Sequence, residues 1–442
     1  MNATQPVLGC CLLIFSLSAF EVRAQSIQEP EDPAPAFVLD LELGVEYSDN
    51  RGRFDPPGPD DTLLIPRLVL DLSRTGRRWQ ARAQGFAEYR HSLESEFDDE
   101  FRANLATLID WILVPESLIW TFQDVASVEP INLFAVDAPD NLQQTNVLVT
   151  GPAWRIRAGT AWEALLDARF IHSYAEEIDD FNSERMSAAA RLMRRMTPTR
   201  NASLGVEFTD VSYRESPSDL NDYERFDTFA RLTSTQARTE LDVAAGYTWI
   251  EPDHLGSTSS PLLRVAIDWR LLERGGLRLS ARHELSDSVR QLTTAIDAID
   301  LPVSHTTRLP VGAELYELDE AELGWYQATE RFEWSLAPAW RDYEFATDAD
   351  LDYREFGGTF LGSWRITPLM ILRARVEVER RRFDIDQRRD TDYHGSLFLS
   401  RSFTPRWSGR VGAIRHERDS TAPGEDSREN IVAVFVTYHA GR

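Results

Sequence analysis

The residues that could do chemistry in this sequence are strung along it at alternate positions rather than gathered in a motif. On one parity of successive segments lie the basic residues Arg67, Arg82, Arg102, Arg264, Arg270, Arg278, Arg282, Arg373 and Arg375. On the same parity lie the acids Asp40, Glu42, Asp71, Glu88, Asp110, Asp167, Glu207, Glu240, Asp242, Asp268, Glu284, Glu377 and Glu379. Opposite charges at this spacing on neighbouring strands can form a lattice of cross-strand ion pairs that stiffens a wall. They can equally line a polar conduit whose charged rings orient a hydrated solute. Both uses require the charged parity to face a common interior.

No catalytic or metal constellation competes with these two uses. The eight histidines are scattered, with no H-x-x-H, H-E-x-x-H or G-x-S-x-G pattern among them. His172-Ser173 lacks a third partner in the sequence. Asp348, Asp350 and Asp352 alternate as D-x-D-x-D but lack the glycine and distal glutamate of a calcium loop, so a solvated acidic loop is expected there. Cys10 and Cys11 are the sole cysteines and lie in the N-terminal apolar stretch. The expectation is a protein that is not an enzyme and has no cofactor and no metal ligands.

The elements that must position the charges are β-strands. In Phe356–Val378, the residues Phe356, Gly358, Phe360, Gly362 and Trp364 share one side of the first arm. Met370, Leu372, Ala374, Val376 and Val378 share one side of the second, with Arg373, Arg375, Glu377 and Glu379 opposite, a period of two. Thr367-Pro368 joins the arms, where proline's fixed φ suits a turn and its missing N–H costs no ladder bond. The segment Val38–Tyr47 alternates in the same way, Leu39, Leu41, Leu43, Val45 and Tyr47 against Asp40, Glu42, Gly44 and Glu46.

Such alternation suits either a sandwich, whose apolar side meets a second sheet, or a membrane barrel, whose apolar side meets lipid. Two features favour lipid. Short turns, such as those near Arg74–Arg77, Thr197-Pro198 and Thr404-Pro405, alternate with long acidic loops, the asymmetry of a membrane barrel. Aromatic residues also sort to two rims, as they do at membrane interfaces. Trp79, Trp111, Trp120, Trp269, Trp334, Trp364 and Trp407 lie near short turns. Tyr47, Tyr89, Tyr247, Tyr343 and Tyr393, with Tyr174, Tyr213, Tyr223 and Tyr353, lie beside long loops. The sequence therefore predicts an all-β fold, a single large antiparallel transmembrane β-barrel of about 18–20 strands. Two long loops, Val125–Asn146 and Asp287–Pro310, could be ordinary exposed loops or could fold inward and narrow the lumen.

Composition sets the outer bounds. A hydrophobic share of 42% with mean hydropathy of -0.36 excludes a helical membrane protein, whereas a barrel keeps half of each strand polar. Net charge of -25 argues against a nucleic-acid partner. All 47 basic residues are arginine, permanently charged and fork-shaped, which suits dense pairing with carboxylates. Residues 1–24 read as a signal peptide, with an apolar core Val7–Phe20 and the small-residue site Val22-Arg23-Ala24. Residues 25–36 read as a flexible periplasmic lead-in and 37–442 as the barrel. The expected location is the outer membrane of a Gram-negative bacterium, with outer-membrane lipid, lipopolysaccharide and the barrel-assembly machinery as partners.

Two stretches carry a resemblance. Glu46-Tyr47-Ser48-Asp49-Asn50 is similar to the Y-x-D-N signature that opens barrels of the β-barrel porin 2 type, which includes outer-membrane proteins of exopolysaccharide operons and PEP-CTERM/exosortase systems. Pro139–Asn146, with Asn141 and Gln144 ahead of a new strand, and the Thr-Pro hairpins resemble the same group. The resemblance implies a pore or an outer-membrane component of exopolysaccharide export, with polysaccharide as a partner, and brings no catalytic residues. The alternatives are a general diffusion porin, a lipid- or lipopolysaccharide-modifying enzyme with a Ser/His/Asp set at one rim, and a sealed structural or interaction barrel.

Overall fold

The computed structural model describes residues 36–94, 97–214, 222–253, 256–296, 311–346 and 349–441. Residues 1–35, expected to hold the signal peptide and most of the lead-in, and Asp348 lie outside the described residues. The first ten strands are β1 (Ala36–Ser48), β2 (Asp61–Thr75), β3 (Trp79–Ser92), β4 (Glu100–Val114), β5 (Leu118–Pro130), β6 (Leu142–Ala158), β7 (Trp162–Ala175), β8 (Ser183–Thr197), β9 (Arg200–Tyr213) and β10 (Tyr223–Thr235). The remainder are β11 (Thr239–Pro252), β12 (Thr258–Leu272), β13 (Gly275–Ser286), β14 (Tyr316–Ala328), β15 (Phe332–Phe345), β16 (Tyr353–Thr367), β17 (Met370–Phe383), β18 (Arg389–Ser402), β19 (Trp407–Ser420) and β20 (Ser427–Gly441). Each pairs antiparallel with its sequence neighbours, and β1 pairs with β20, so the sheet is a closed barrel of 20 strands.

Local chemistry sets the hairpins. At three of the short turns a threonine precedes proline, and its hydroxyl accepts the N–H two residues on. Thr199 donates to Thr197, Leu369 to Thr367 and Arg406 to Thr404, each at 3.3 Å. Proline fixes the turn's φ while threonine satisfies a donor the ladder leaves over. The closing seam has its own device. Gly44 leaves room for the Phe435 ring, whose Cε1 would clash with a Cβ at this position. Arg67 and Arg410 stack on that ring at 5.1 and 4.0 Å. At the long-loop end Asp49 accepts the backbone N–H and the side-chain amide of Asn430, both at 2.7 Å. Asn50 bonds Arg428 O at 3.0 Å and gathers Phe54 and Gly58 around itself. The Y-x-D-N stretch thus fastens the last strand to the first.

Parity separates the two faces. Leu41, Leu43, Val45, Phe208, Val376, Val432, Val434 and Val436 stand exposed on the outer surface. A contiguous outer belt of this kind is stable only against acyl chains. Trp79, Trp111, Trp269, Trp364 and Trp407 are exposed on the same face near the short turns, and Tyr47, Tyr89, Tyr247 and Tyr393 near the long loops. Trp120 and Trp334 are partly covered. Tyr343 departs from the expected rim position. It is fully buried on the inner face with Tyr316, Phe345, Tyr353 and Phe383, because it shares the parity of inward Arg341. Tyr213, Tyr223 and Tyr353 are buried inward for the same reason.

Twenty strands about 4.8 Å apart, tilted by about 40°, close at a backbone radius of about 20 Å. Wall side chains cannot fill so wide a cylinder. The interior therefore holds water, inserted chain, or both.

Candidate functional site: two segments inserted in the lumen

Two segments leave the long-loop rim and pack inside the barrel. The first joins β5 to β6. Asn141 staples it, its side chain accepting Asn132 N at 2.8 Å and donating to the carbonyls of Asn132 and Val136, each at 2.9 Å. The segment crosses to the opposite wall, where Phe134 lies 4.8 Å from the Phe383 ring. Three arginines hold it there. Arg381 donates to Leu133 O at 3.1 Å, Arg418 to Phe134 O at 3.5 Å, and Arg388 also to Phe134 O. Acids beneath fix the arginines in turn, Asp392 accepting Arg381 at 2.6 Å and Arg418 at 2.7 Å, and Asp390 accepting Arg388 at 2.9 Å. The exposed-loop expectation for Val125–Asn146 therefore gives way to the inward one. Backbone carbonyls without a strand partner found guanidinium donors on the far wall.

Where the β5–β6 hairpin bends inward, it parts from β4. Pairing between β4 and β5 stops at Leu105–Ala126, although both strands run on. The Gln144 side-chain amide fills the place of a strand, accepting Ala103 N at 2.8 Å and donating to Ala103 O at 2.9 Å. Gln144 is thus a ladder substitute.

The second inserted segment is helix α1 (Ser288–Ile296). Asp287 precedes it in the capping position, accepting Arg290 N at 3.1 Å, and also binds Arg185 at 2.7 Å and Tyr223 OH at 2.9 Å. Burial pushes the Asp287 carboxyl up, but Arg185 and the helix N–H outweigh this and hold it below the usual aspartate range. Val289 and Leu292 pack on Val147, Val149, Ala175 and Phe181 of one wall. Gln291 accepts Tyr316 OH at 2.6 Å and donates to Tyr343 OH at 3.5 Å on another. Arg290 reaches Asp227 at 3.5 Å and Glu207 at 3.9 Å. The remainder of the loop, 297–310, lies outside the described residues.

The charged parity forms chains of alternating sign. Glu88 accepts Arg67 at 2.7 Å and Arg90 at 3.2 Å, and Glu42 accepts Arg410 at 2.9 Å and faces Arg67 at 3.6 Å. Arg264 bonds Glu284 at 3.0 Å, Arg282 bonds Glu320 at 2.6 Å, and Arg341 joins Glu320 at 3.1 Å to Glu355. Further pairs are Arg278–Asp268 at 2.9 Å, Arg231–Asp242 at 2.7 Å, Arg375–Glu377 at 3.0 Å and His439–Asp40 at 2.7 Å. Arg102 joins Glu100, Asp110 accepts Thr121 OH at 2.8 Å, and Asp167 faces Arg191 at 4.0 Å. The register sets Asp71 opposite Gln84, Arg82 opposite Ser73, Glu240 opposite Asp268, and Arg270 opposite Gly276. It sets Arg373 opposite Ser363 and Glu379 opposite Asp392.

His172 and Ser173 are consecutive in β7 and so point to opposite faces; Ser173 OH bonds Phe181 O at 2.7 Å inside. They cannot act on one substrate atom. Parity reasoning found the charged wall but missed the inner aromatic shelf and the Asp287 anchor. The signals were present: Tyr343 and Tyr353 alternate in phase with Arg341 and Glu355, and Asp287-Ser288 is a capping sequence.

A closed wall that is apolar outside and charged within defines a transmembrane β-barrel of the outer-membrane type. The barrel is similar to the ferric enterobactin receptor of Pseudomonas aeruginosa, at 9% identity and a TM-score of 0.46, over 92% of this chain and 80% of that one. It is similar to the siderophore receptor PirA of the same organism, at 11% identity and a TM-score of 0.45, over 92% and 81%. It is also similar to the ferric-catecholate import receptor Fiu of E. coli, at 10% identity and a TM-score of 0.44, over 92% and 82%. No family model and no curated protein matches the chain.

Proposed function

We propose that the protein is an outer-membrane transport barrel in which the charged wall guides a hydrated solute and the two inserted segments close the passage until they are displaced. The observation that carries this reading is the Phe134 segment spanning the lumen to Arg381, Arg388 and Arg418. It is held by arginine bonds to two backbone carbonyls and by Leu133 and Phe134 packed on the aromatic shelf, with no strand ladder of its own, so it can leave without disturbing the wall. Planar-bilayer recording tests this: the closed barrel should show small, brief current steps that enlarge when residues 132–140 are replaced by a short glycine linker. A linker variant as silent as the parent would defeat the reading.

The finer reading is export of an anionic polysaccharide. Its support is the resemblance at Tyr47–Asn50 together with the inner shelf of Tyr353 and Phe383 beside Arg381 and Arg388. Displacing the Phe134 segment would uncover aromatic faces for sugar rings next to cations for their carboxylates. Acidic glycan added on the long-loop side should then block the linker variant's current, whereas a neutral glycan of equal length should not. Equal block by both, or by neither, would leave a general diffusion pore.

A further inference from the structure

One pair of side chains on the inner wall lies close enough for both rings to share a single ligand. His394 on β18 and His416 on β19 are directly opposite in register, on the inward parity that also carries Asp392 and Arg418. Their Nδ1 atoms are 3.0 Å apart and their ring centroids 4.4 Å apart. Both residues are half-buried. We propose that His394 and His416 form a lumen-facing site for one borderline-soft divalent cation of the zinc, nickel or copper kind.

The argument is geometric. Metal–nitrogen bonds of about 2.05 Å set two imidazole nitrogens about 2.9 Å apart at a right angle and about 3.3 Å apart at the tetrahedral angle. The observed 3.0 Å lies between these values, so both nitrogens can bind one ion with little movement of either ring. Without an ion, one Nδ1 must carry a proton and donate to the other; with an ion, both lone pairs point at the metal and each ring keeps its proton on Nε2. The rings are carried on adjacent strands of a continuous ladder, which removes most of the ordering cost of bringing two ligands together.

The row supplies the charge such a site needs. Glu377 stands opposite His394 and Glu429 opposite His416, so two carboxylates flank the imidazoles along one level of the wall. Glu429 is held in place by Ser48 at 2.6 Å and Arg53 at 2.9 Å. Glu377 is paired with Arg375 at 3.0 Å and adds negative charge at the same level of the wall. Remaining positions would be filled by water. Imidazole donors with few carboxylates favour zinc, nickel or copper over calcium or magnesium. The site lies two residues below Asp392 and Arg418, directly under the level at which the Phe134 segment is latched.

The test uses the full chain in detergent micelles, with cupric ion alone as the probe for paramagnetic resonance and zinc ion alone for calorimetry. The expected result is one tight equivalent, with nitrogen hyperfine splitting from two imidazoles. His394→Ala and His416→Ala should each weaken binding at least about tenfold and remove one nitrogen from the spectrum. His283→Ala serves as the opposing arm, because His283, Glu317 and Asp319 elsewhere on the barrel bring three donor atoms within 4.8 Å of one another. If binding is lost in His283→Ala and kept in the other two, or if the parent binds no ion, the assignment is overturned. Should either alanine variant fail to show the heat-modifiable gel mobility of a folded barrel, His394→Gln and His416→Gln keep a polar group of similar reach and decide the matter in the same way.

Discussion

Replacing Phe134 by alanine isolates the latch from the wall. The substitution removes the ring that lies 4.8 Å from Phe383 and under the Arg388 guanidinium at 5.9 Å, while Arg381, Arg388 and Arg418 keep their acids Asp390 and Asp392. An aromatic pair contributes about 1 kcal/mol beyond area, and the partly buried ring about another 1–2 kcal/mol of apolar transfer. Losing about 2 kcal/mol of closed-state contact multiplies the ratio of displaced to latched segment by about 30. The backbone carbonyls of Leu133 and Phe134 remain to accept the arginines, so the latch weakens rather than disappears. Single-barrel recordings should show open dwell fraction rising by an order of magnitude with unchanged unit conductance, because the wall is untouched. Thermal unfolding should scarcely move. A variant whose open fraction equals the parent's would refute the idea that this segment closes the passage; one whose unit conductance changes would show that Phe134 shapes the wall instead.

Asp287→Ala should release α1 and leave the buried Arg185 without its carboxylate, a loss of about 3–5 kcal/mol seen as lowered melting temperature and new protease cleavage within 288–296. Because Arg185 holds the Asp287 carboxyl below its unfolded value, its contribution is complete above the usual aspartate range and fades as pH falls toward the lowered value. In the parent, α1 should therefore stay protected at pH 5 and become cleavable only below about pH 4, whereas release at pH 6 would show another group in control. Val434→Arg places a charge on the exposed outer belt and should cost about 2–4 kcal/mol of barrel stability in lipid. Asp71→Asn on the inward parity should cost less than about 1 kcal/mol; equal costs in refolding titrations would mean the faces are assigned the wrong way round.

The sequence by itself determined the wall. A two-residue period is a local property, read from neighbours such as Leu41, Glu42 and Leu43, and each strand carries its own inside and outside. Thr-Pro turns and long acidic loops then set the hairpin lengths, and with them an even strand number close to that observed. What fills the lumen could only be decided in three dimensions. Residues 131–138 carry no period, and the partners that hold them, Arg381, Arg388 and Arg418, lie 248 to 284 positions away in the chain, brought within reach only once β1 meets β20. The same closure turned Tyr343 from an expected rim residue into part of a buried aromatic shelf: its height in the strand suggested the interface, and inserted α1 supplied the Gln291 partner that allows a phenol to be buried. Strand patterns report which face a side chain takes; what meets that face depends on segments whose sequence carries no record of where the barrel will put them.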